Sequence, residues 1–401
     1  MSILYINQYA GSPELGMEFR PYYMAKEWNK LGHKTIIICS TYSHLRTHNE
    51  YCTGHNMVDG IGYLFLWGNK YCGNGVARFV NIMLFVIQLI LISPYLAVKH
   101  KPSAVIASST HLLDIFPAYL ISIFSRAKLI FELHDIWPLT LLEIGSMSKY
   151  NPFVMLVGFA EWVTYKVADK VISILPDAYK HVKQFGIPKE KFLFVTNGYD
   201  FTTAKPEKLP DSLSYSIKNL RKKYKNILAY AGGISRSNAT HIILDAAKEL
   251  NETAIILVGA GTEKELLKNE YSDCKNIIWH DKISKAQVQT FLKSADCSIF
   301  ALEDSPLYKY GIGLNKIFDY MNAGKPIIQI SNLDHTPVAI ANCGFCIHIS
   351  NAKSMAKAIY KALSSNQNNL ATLGENGKQF LKYNHDYKYL ADKFLNFLEI
   401  N

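Results

Sequence analysis

A chain of 401 residues with 49% apolar and 19% charged side chains exceeds one ordinary domain and excludes global disorder. Its net charge of +10 is spread evenly, with 18 basic against 13 acidic side chains in residues 1–198 and 25 against 20 in residues 199–401. That evenness excludes a dedicated nucleic-acid domain and suits a protein meeting anionic phosphates or an anionic membrane surface.

Ile3 to Ile6 reads as a strand, 7–16 as a long loop, Met17 to Leu31 as a helix ended by Gly32, and Thr35 to Ser40 as the next strand. This βαβ unit demands a parallel sheet, whose carboxyl edge is where such folds bind ligands. Gly11 and Gly16, in the first loop, are therefore candidates for close backbone contact with a substrate. Residues 41–75 read as a polar connection, and His44, His48 and His55 are not spaced as metal ligands. Phe79 to Val98 is almost wholly apolar, interrupted by Asn81, Gln88, Ser93 and Pro94, and flanked by Arg78 and by Lys99-His100-Lys101. It suits a buried domain helix, a helix whose outer face touches a membrane, or a true span; the basic rim is what interfacial contact requires.

Ala104 to Ser108 reads as a strand, Leu112 to Ser125 as a helix, and Leu129 to Leu133 as a strand running into His134-Asp135-Ile136-Trp137-Pro138. A titratable pair where a parallel strand meets its loop is placed for chemistry, the plain alternative being a satisfied histidine in a capped loop. A helix ending at Val167 and strands at Lys170 to Ile174 and Phe192 to Thr196 complete the first half. Residues 202–214, with Pro206 and Pro210, read as a linker.

The second half repeats the pattern. Asn226 to Tyr230 is a strand, and Ala231-Gly232-Gly233-Ile234-Ser235-Arg236 a glycine loop opening a helix, with Arg236 available for phosphate. Strands at Thr253 to Val258, Ile277 to Trp279 and Cys297 to Ala301 alternate with helices at Glu263 to Glu270 and Ser284 to Ala295. Tyr308 to Pro326 then combines Gly311 and Gly313, a helix from Lys316 with Asn315 as its expected N-cap, and a stop at Gly324. A helix N-terminus with a lysine is an anion site, and Asp319, one turn in, suits ribose hydroxyls. The tail, Leu381 to Leu398, reads as one amphipathic helix. Seven scattered cysteines without a recognisable secretory leader point to a reducing compartment, and Cys343-Gly-Phe-Cys346 lacks the second pair of a zinc site.

Two tandem doubly wound α/β domains with phosphate loops in the second resemble the GT-B fold. Gly16-Met17 with Arg20, Glu132-Leu-His-Asp-Ile-Trp-Pro138, Asn197-Gly-Tyr-Asp200 and Asn315-Lys-Ile-Phe-Asp-Tyr-Met321 are together similar to the retaining family 4 glycosyltransferases. The likeness is greatest to their WbuB-like branch of O-antigen and capsule synthesis. The resemblance implies an N-terminal Rossmann-like acceptor domain over 1–200 with a membrane-facing helix, and a nucleotide-sugar domain over 201–380. A C-terminal helix over 381–401 would then be free to pack back on the first domain.

The resemblance also implies catalytic roles for His134 and Asp135, and an acceptor role for Arg20. Donor binding falls to Gly16, Gly233, Arg236, Trp279, Ile283, Glu303, Gly313, Leu314, Asn315, Lys316 and Asp319. Gly311 stands where the family's first E-x7-E glutamate belongs, with Glu303 or Asp304 as substitutes, and Asn238-Ala239 stands where Lys-Gly is common. With no D-x-D triplet, the expected chemistry needs no metal or other cofactor. The expected reaction takes a sugar from a nucleotide-diphosphate donor, such as a UDP-linked N-acetylated hexosamine or deoxyhexosamine (FucNAc, for example). The acceptor is a polyprenyl-diphosphate-linked saccharide at the cytoplasmic membrane surface. A sugar-nucleotide 2-epimerase and an inactive lipid-carrier-binding scaffold are the rival readings.

Overall fold

The computed structural model describes all residues except 50, 74, 110, 144, 203–206, 236–237 and 400–401. Two compact units form, the first from Met1–Gly198, Lys309–Gly313 and Tyr387–Asn401, the second from Tyr199–Tyr308 and Leu314–Asp386. Arg236 and Pro206, singled out above, lie outside the described residues.

The first unit runs β1 (Ser2–Ile6), α1 (Arg20–Lys30), β2 (Lys34–Ser40), β3 (Gly54–Val58), β4 (Ile61–Leu66), α2 (Val76–His100), β5 (Ala104–Ser108), α3 (Ile115–Ser125) and β6 (Lys128–Leu133). It continues through α4 (Leu139–Glu143), α5 (Pro152–Val167), β7 (Lys170–Ser173), α6 (Tyr179–Val182) and β8 (Phe192–Phe194). The strands pair in the order β3-β4-β2-β1-β5-β6-β7-β8, parallel except for β3 against β4. β1, β2, β5 and β6 are apolar runs because helices cover both sheet faces. The β3–β4 hairpin falls inside the stretch read as a polar connection. Its turn is Asp59-Gly60, both at positive φ, the dipeptide that closes two-residue hairpins.

The second unit comprises α7 (Asp211–Lys223), β9 (Asn226–Ala231), α8 (Thr240–Lys248), β10 (Thr253–Val258), α9 (Lys264–Glu270), β11 (Ile277–His280), α10 (Lys285–Ser294) and β12 (Cys297–Ala301). After it come α11 (Lys316–Ala323), β13 (Ile327–Ile330), α12 (Pro337–Ile340), β14 (Gly344–Ile347), α13 (Ala352–Leu363) and α14 (Gln367–Asn384). Its parallel order β11-β10-β9-β12-β13-β14 is the Rossmann order, with the topological switch between β9 and β12. The expected linker overlaps α7, which buries Leu213 and Leu220, seven residues apart on one helical face.

The tail is not one helix. α14 ends at Asn384, and α15 (Tyr387–Leu398) returns to the first unit. Tyr387 stacks on Tyr23 at 4.8 Å, Phe394 meets Trp28 at 5.0 Å, and the Trp28 indole N–H donates to Ala391 O. Packing against different partners breaks a run that periodicity alone joins.

Candidate active site

In the first unit the loops after β1, β5 and β6 gather at the carboxyl edge of the sheet, beside its switch point. Glu132 and His134 are two residues apart and so project to the same side. Glu132 is fully buried. Its Oε1 accepts from Arg20 Nε at 2.8 Å, and its Oε2 lies 3.0 Å from His134 Nε2 and also accepts from the Tyr5 hydroxyl. Ser108 Oγ, itself held by Asn7 Nδ2, is 3.2 Å from the same imidazole nitrogen, and the His134 backbone N–H donates to Ser109 Oγ. No hydrogen bond reaches Nδ1 of His134 among the described residues.

The electrostatics follow from this geometry. Burial alone would raise the Glu132 carboxyl, but the Arg20 guanidinium and the bonds from His134 and Tyr5 hold it well below the usual carboxylate range. Burial would lower His134, but the bond and charge of Glu132, with Glu18 nearby, raise it above its ordinary value. His134 is thus an imidazole held toward its charged form by a buried carboxylate.

Two expectations need correcting here. Asp135, paired with His134 in the sequence reading, is exposed and makes no hydrogen bond to it, because adjacent residues at a strand end point apart. Glu132 makes that bond, and the strand alternation in Glu132-Leu-His134 was the signal for it. Arg20, taken as an acceptor-binding residue, is 1% exposed. Beyond Glu132, its guanidinium donates to Thr196 O at 2.5 Å and Val195 O at 3.0 Å, so it ties α1 to the segment after β8 instead of facing solvent.

The glycines divide. Gly16, at φ +104°, packs against the backbone of Arg46 and Thr47, and a Cβ on Gly11 would strike Gly16 O. A Cβ on Gly311 would lie 2.4 Å from Pro176, and one on Gly313 would lie 3.1 Å from Ile174. At these four sites protein atoms already crowd the place of a Cβ. The missing first glutamate of E-x7-E has the same cause, since no side chain fits at Gly311.

In the second unit, Gly232 and Gly233 follow β9, and Tyr320 of α11 fixes the loop's start by bonding both Ala231 N and Ala231 O. This brings Lys316, the first residue of α11, beneath the loop. Its Nζ lies 3.2 Å from the Tyr230 hydroxyl and 5.0 Å from that ring's centre, donates to Asn238 Oδ1, and would be 3.5 Å from a Cβ on Gly232. No carboxylate pairs with it among the described residues, and burial pushes its ammonium down to about 8. Asn315 precedes the helix in helical conformation without a side-chain cap bond, contrary to its expected capping role. The backbone N–H groups of Leu314, Asn315 and Lys316 make no backbone bond among the described residues. An ammonium without a carboxylate partner and amides without a backbone bond, among the described residues, thus stand at the start of α11, and the ammonium reaches the glycine loop. A helix N-terminus with a cation is the kind of place that takes an anion.

Asp319 is buried, and both its oxygens accept from Lys285 Nζ, at 2.6 and 2.5 Å. Lys285 was not foreseen, since it lies 34 residues away at the start of α10. Trp279 and Ile283 are half-buried at the end of β11 and in the following loop. Glu303, after β12, has the His241 imidazole 3.8 Å from its carboxylate. No group of three or more His, Cys, Asp or Glu placed to hold a metal occurs among the described residues.

Residues 16–203 match Glycosyltransferase Family 4, and residues 212–380 match Glycosyl transferases group 1. No curated protein matches the chain. Among solved structures, Anabaena HepE in complex with UDP and glucose superposes with a TM-score of 0.67 at 14% identity, covering 100% of this chain and 99% of that one. Sucrose-phosphate synthase from Thermosynechococcus elongatus gives 0.75 at 14% identity, covering 99% and 98%. WaaG, a glycosyltransferase involved in lipopolysaccharide biosynthesis, gives 0.66 at 12% identity, covering 100% of both. The chain is therefore a glycosyltransferase of the GT-B fold. More particularly, it joins a family 4 domain to a group 1 domain.

Proposed function

We propose that the protein is a retaining glycosyltransferase of the WbuB-like branch, working in O-antigen or capsule synthesis. It moves a sugar from a nucleotide-diphosphate donor, a UDP-linked N-acetylated hexosamine or deoxyhexosamine, onto a polyprenyl-diphosphate-linked saccharide. The observation that carries the donor half is Lys316, which among the described residues is an ammonium without an acidic partner, beside a glycine loop and three amides without a backbone bond. These groups stabilise the departing diphosphate, where most of the transition-state charge develops, and in this reading no metal is required. Gly233, Leu314 and Asn315 line the diphosphate, Arg236 adds charge, Trp279 and Ile283 receive the base, and Glu303 takes the sugar hydroxyls that a residue at Gly311 cannot reach. The HepE complex with UDP and glucose supports the choice of nucleotide. His134, held toward its charged form by Glu132, donates to the transferred sugar from its open Nδ1 edge. Asp319, bonded to Lys285, helps place the ribose.

The acceptor half rests on the first unit's surface. α2 is 25 residues long, with a mean hydropathy of 2.2 over 18 residues of which only 33% are buried. Asn81, Phe85 and Leu89 bury its inner face, and Gln8 holds Asn81, as in a domain helix. Ile87, Leu91, Tyr95 and Val98 face outward, joined by Ile123 and Phe124 of α3 and Phe159 and Trp162 of α5. An apolar face of three helices with Arg78, Lys99, Lys101 and Lys166 around it suits peripheral docking on the inner leaflet of the cytoplasmic membrane, where a polyprenyl acceptor resides.

Calorimetric titration of UDP tests the donor assignment. Lys316→Ala is expected to weaken binding by about 1.5–3 kcal/mol, the range for a charged hydrogen bond. Equal affinity in the variant contradicts it.

A further inference from the structure

The first unit holds a second concave site, at the opposite end of the sheet from His134. An open cleft of ≈ 760 Å³ lies where β2 begins, the β3–β4 hairpin turns and α2 ends. It is lined by His33, Lys34, Thr35, His55, Lys99 and His100 among others, and by no aspartate or glutamate. Lys34 and Lys99 make no ion pair among the described residues; Lys99 Nζ instead lies 3.2 Å from His55 Nε2 and 2.6 Å from the Tyr95 hydroxyl. His33 Nδ1, Thr35 Oγ1 and His100 Nε2 are buried polar atoms with no partner, and all three belong to residues lining this one cleft. A protein seldom leaves such atoms unmatched unless something else supplies the match. Burial first, then the neighbouring positive charges, lower His33, His55 and His100 below 6.5, His100 to about 4. Burial is the larger cause in each, and Lys34 and Lys99 add to it at His55 and His100.

A metal ion does not suit these groups, because two ammonium ions face it and no three ligands share a metal's geometry. Neutral imidazoles and ammonium groups are donors, and what they lack is an acceptor with charge. We propose that this cleft binds a phosphate-bearing anion, separately from the nucleotide cradle of the second unit. Its ligand is either soluble phosphate or the headgroup of an anionic lipid.

The test follows the imidazole C–H resonances of the full chain while inorganic phosphate is added. Signals of His33, His55 and His100 are expected to shift saturably while that of His181 stays still. The variant Lys34→Gln, exposed and outside both the catalytic groups and the basic rim of α2, is expected to lower phosphate affinity about fivefold or more while keeping its melting temperature and its UDP affinity. Flotation with phosphatidylglycerol and phosphatidylcholine vesicles separates the two sources. Loss of phosphatidylglycerol binding in Lys34→Gln assigns a headgroup, and saturable phosphate binding with unchanged flotation assigns a soluble anion. Unmoved imidazole signals together with unchanged flotation overturn the proposal.

Discussion

At the scale of residues, Lys316 of the second unit and His134 of the first carry opposite shifts. Lys316 is lowered to about 8, so the free protein loses this charge as pH rises through that value. An anion binds only the ammonium form, and UDP affinity is therefore expected to be flat below pH 8 and to fall above it. Calorimetry across that range checks the sign, and a flat profile in Lys316→Ala identifies the group. His134 is raised above 6.5 by Glu132, so its contribution to stability is complete below 6.5 and is lost as pH rises through the higher folded value. Turnover is expected to fall over the same window. His134→Ala should keep UDP affinity and lose roughly 10²-fold or more in kcat, as for a positioned acid–base group. Arg20→Ala should behave differently. It strands the buried Glu132 carboxylate, and chemical denaturation should register a loss of about 3–5 kcal/mol.

At the scale of elements, the outward face of α2 separates docking from folding. Leu91→Asp is expected to leave the melting temperature unchanged, since the side chain is 74% exposed. It should abolish flotation with anionic vesicles. Added salt should release the wild type in part, because exposed basic residues are screened. Much of this level was legible in the sequence. Apolar runs gave the buried parallel strands, and the pattern of loop and helix start placed Lys316 where the structure has it, beside the glycine loop. What stayed hidden was long-range. Arg20 meets Glu132 across 112 residues, and Lys285 meets Asp319 across 34, pairings that only the folded chain creates. The break between α14 and α15 was hidden for the same reason, since both helices share one apolar period. The β3–β4 hairpin was hidden differently: its Asp59-Gly60 signal was present, in a segment whose polarity masked it.

At the scale of the molecule, a family 4 domain and a group 1 domain define a glycosyltransferase, while the charge of +10 and the three-helix apolar face bear on where its acceptor lies. The two rivals read from sequence diverge from this at one point, the fate of the donor sugar. The most direct test incubates the full chain, in EDTA, with a UDP-linked N-acetylated hexosamine and a polyprenyl-diphosphate-linked saccharide, and follows the product by mass spectrometry and its anomeric proton by NMR. The account predicts a lipid-linked product longer by one sugar, UDP released in equal amount, and the donor's anomeric configuration preserved. An inverted linkage, transfer that appears only when a divalent metal is restored, or epimerised donor without transfer would contradict it.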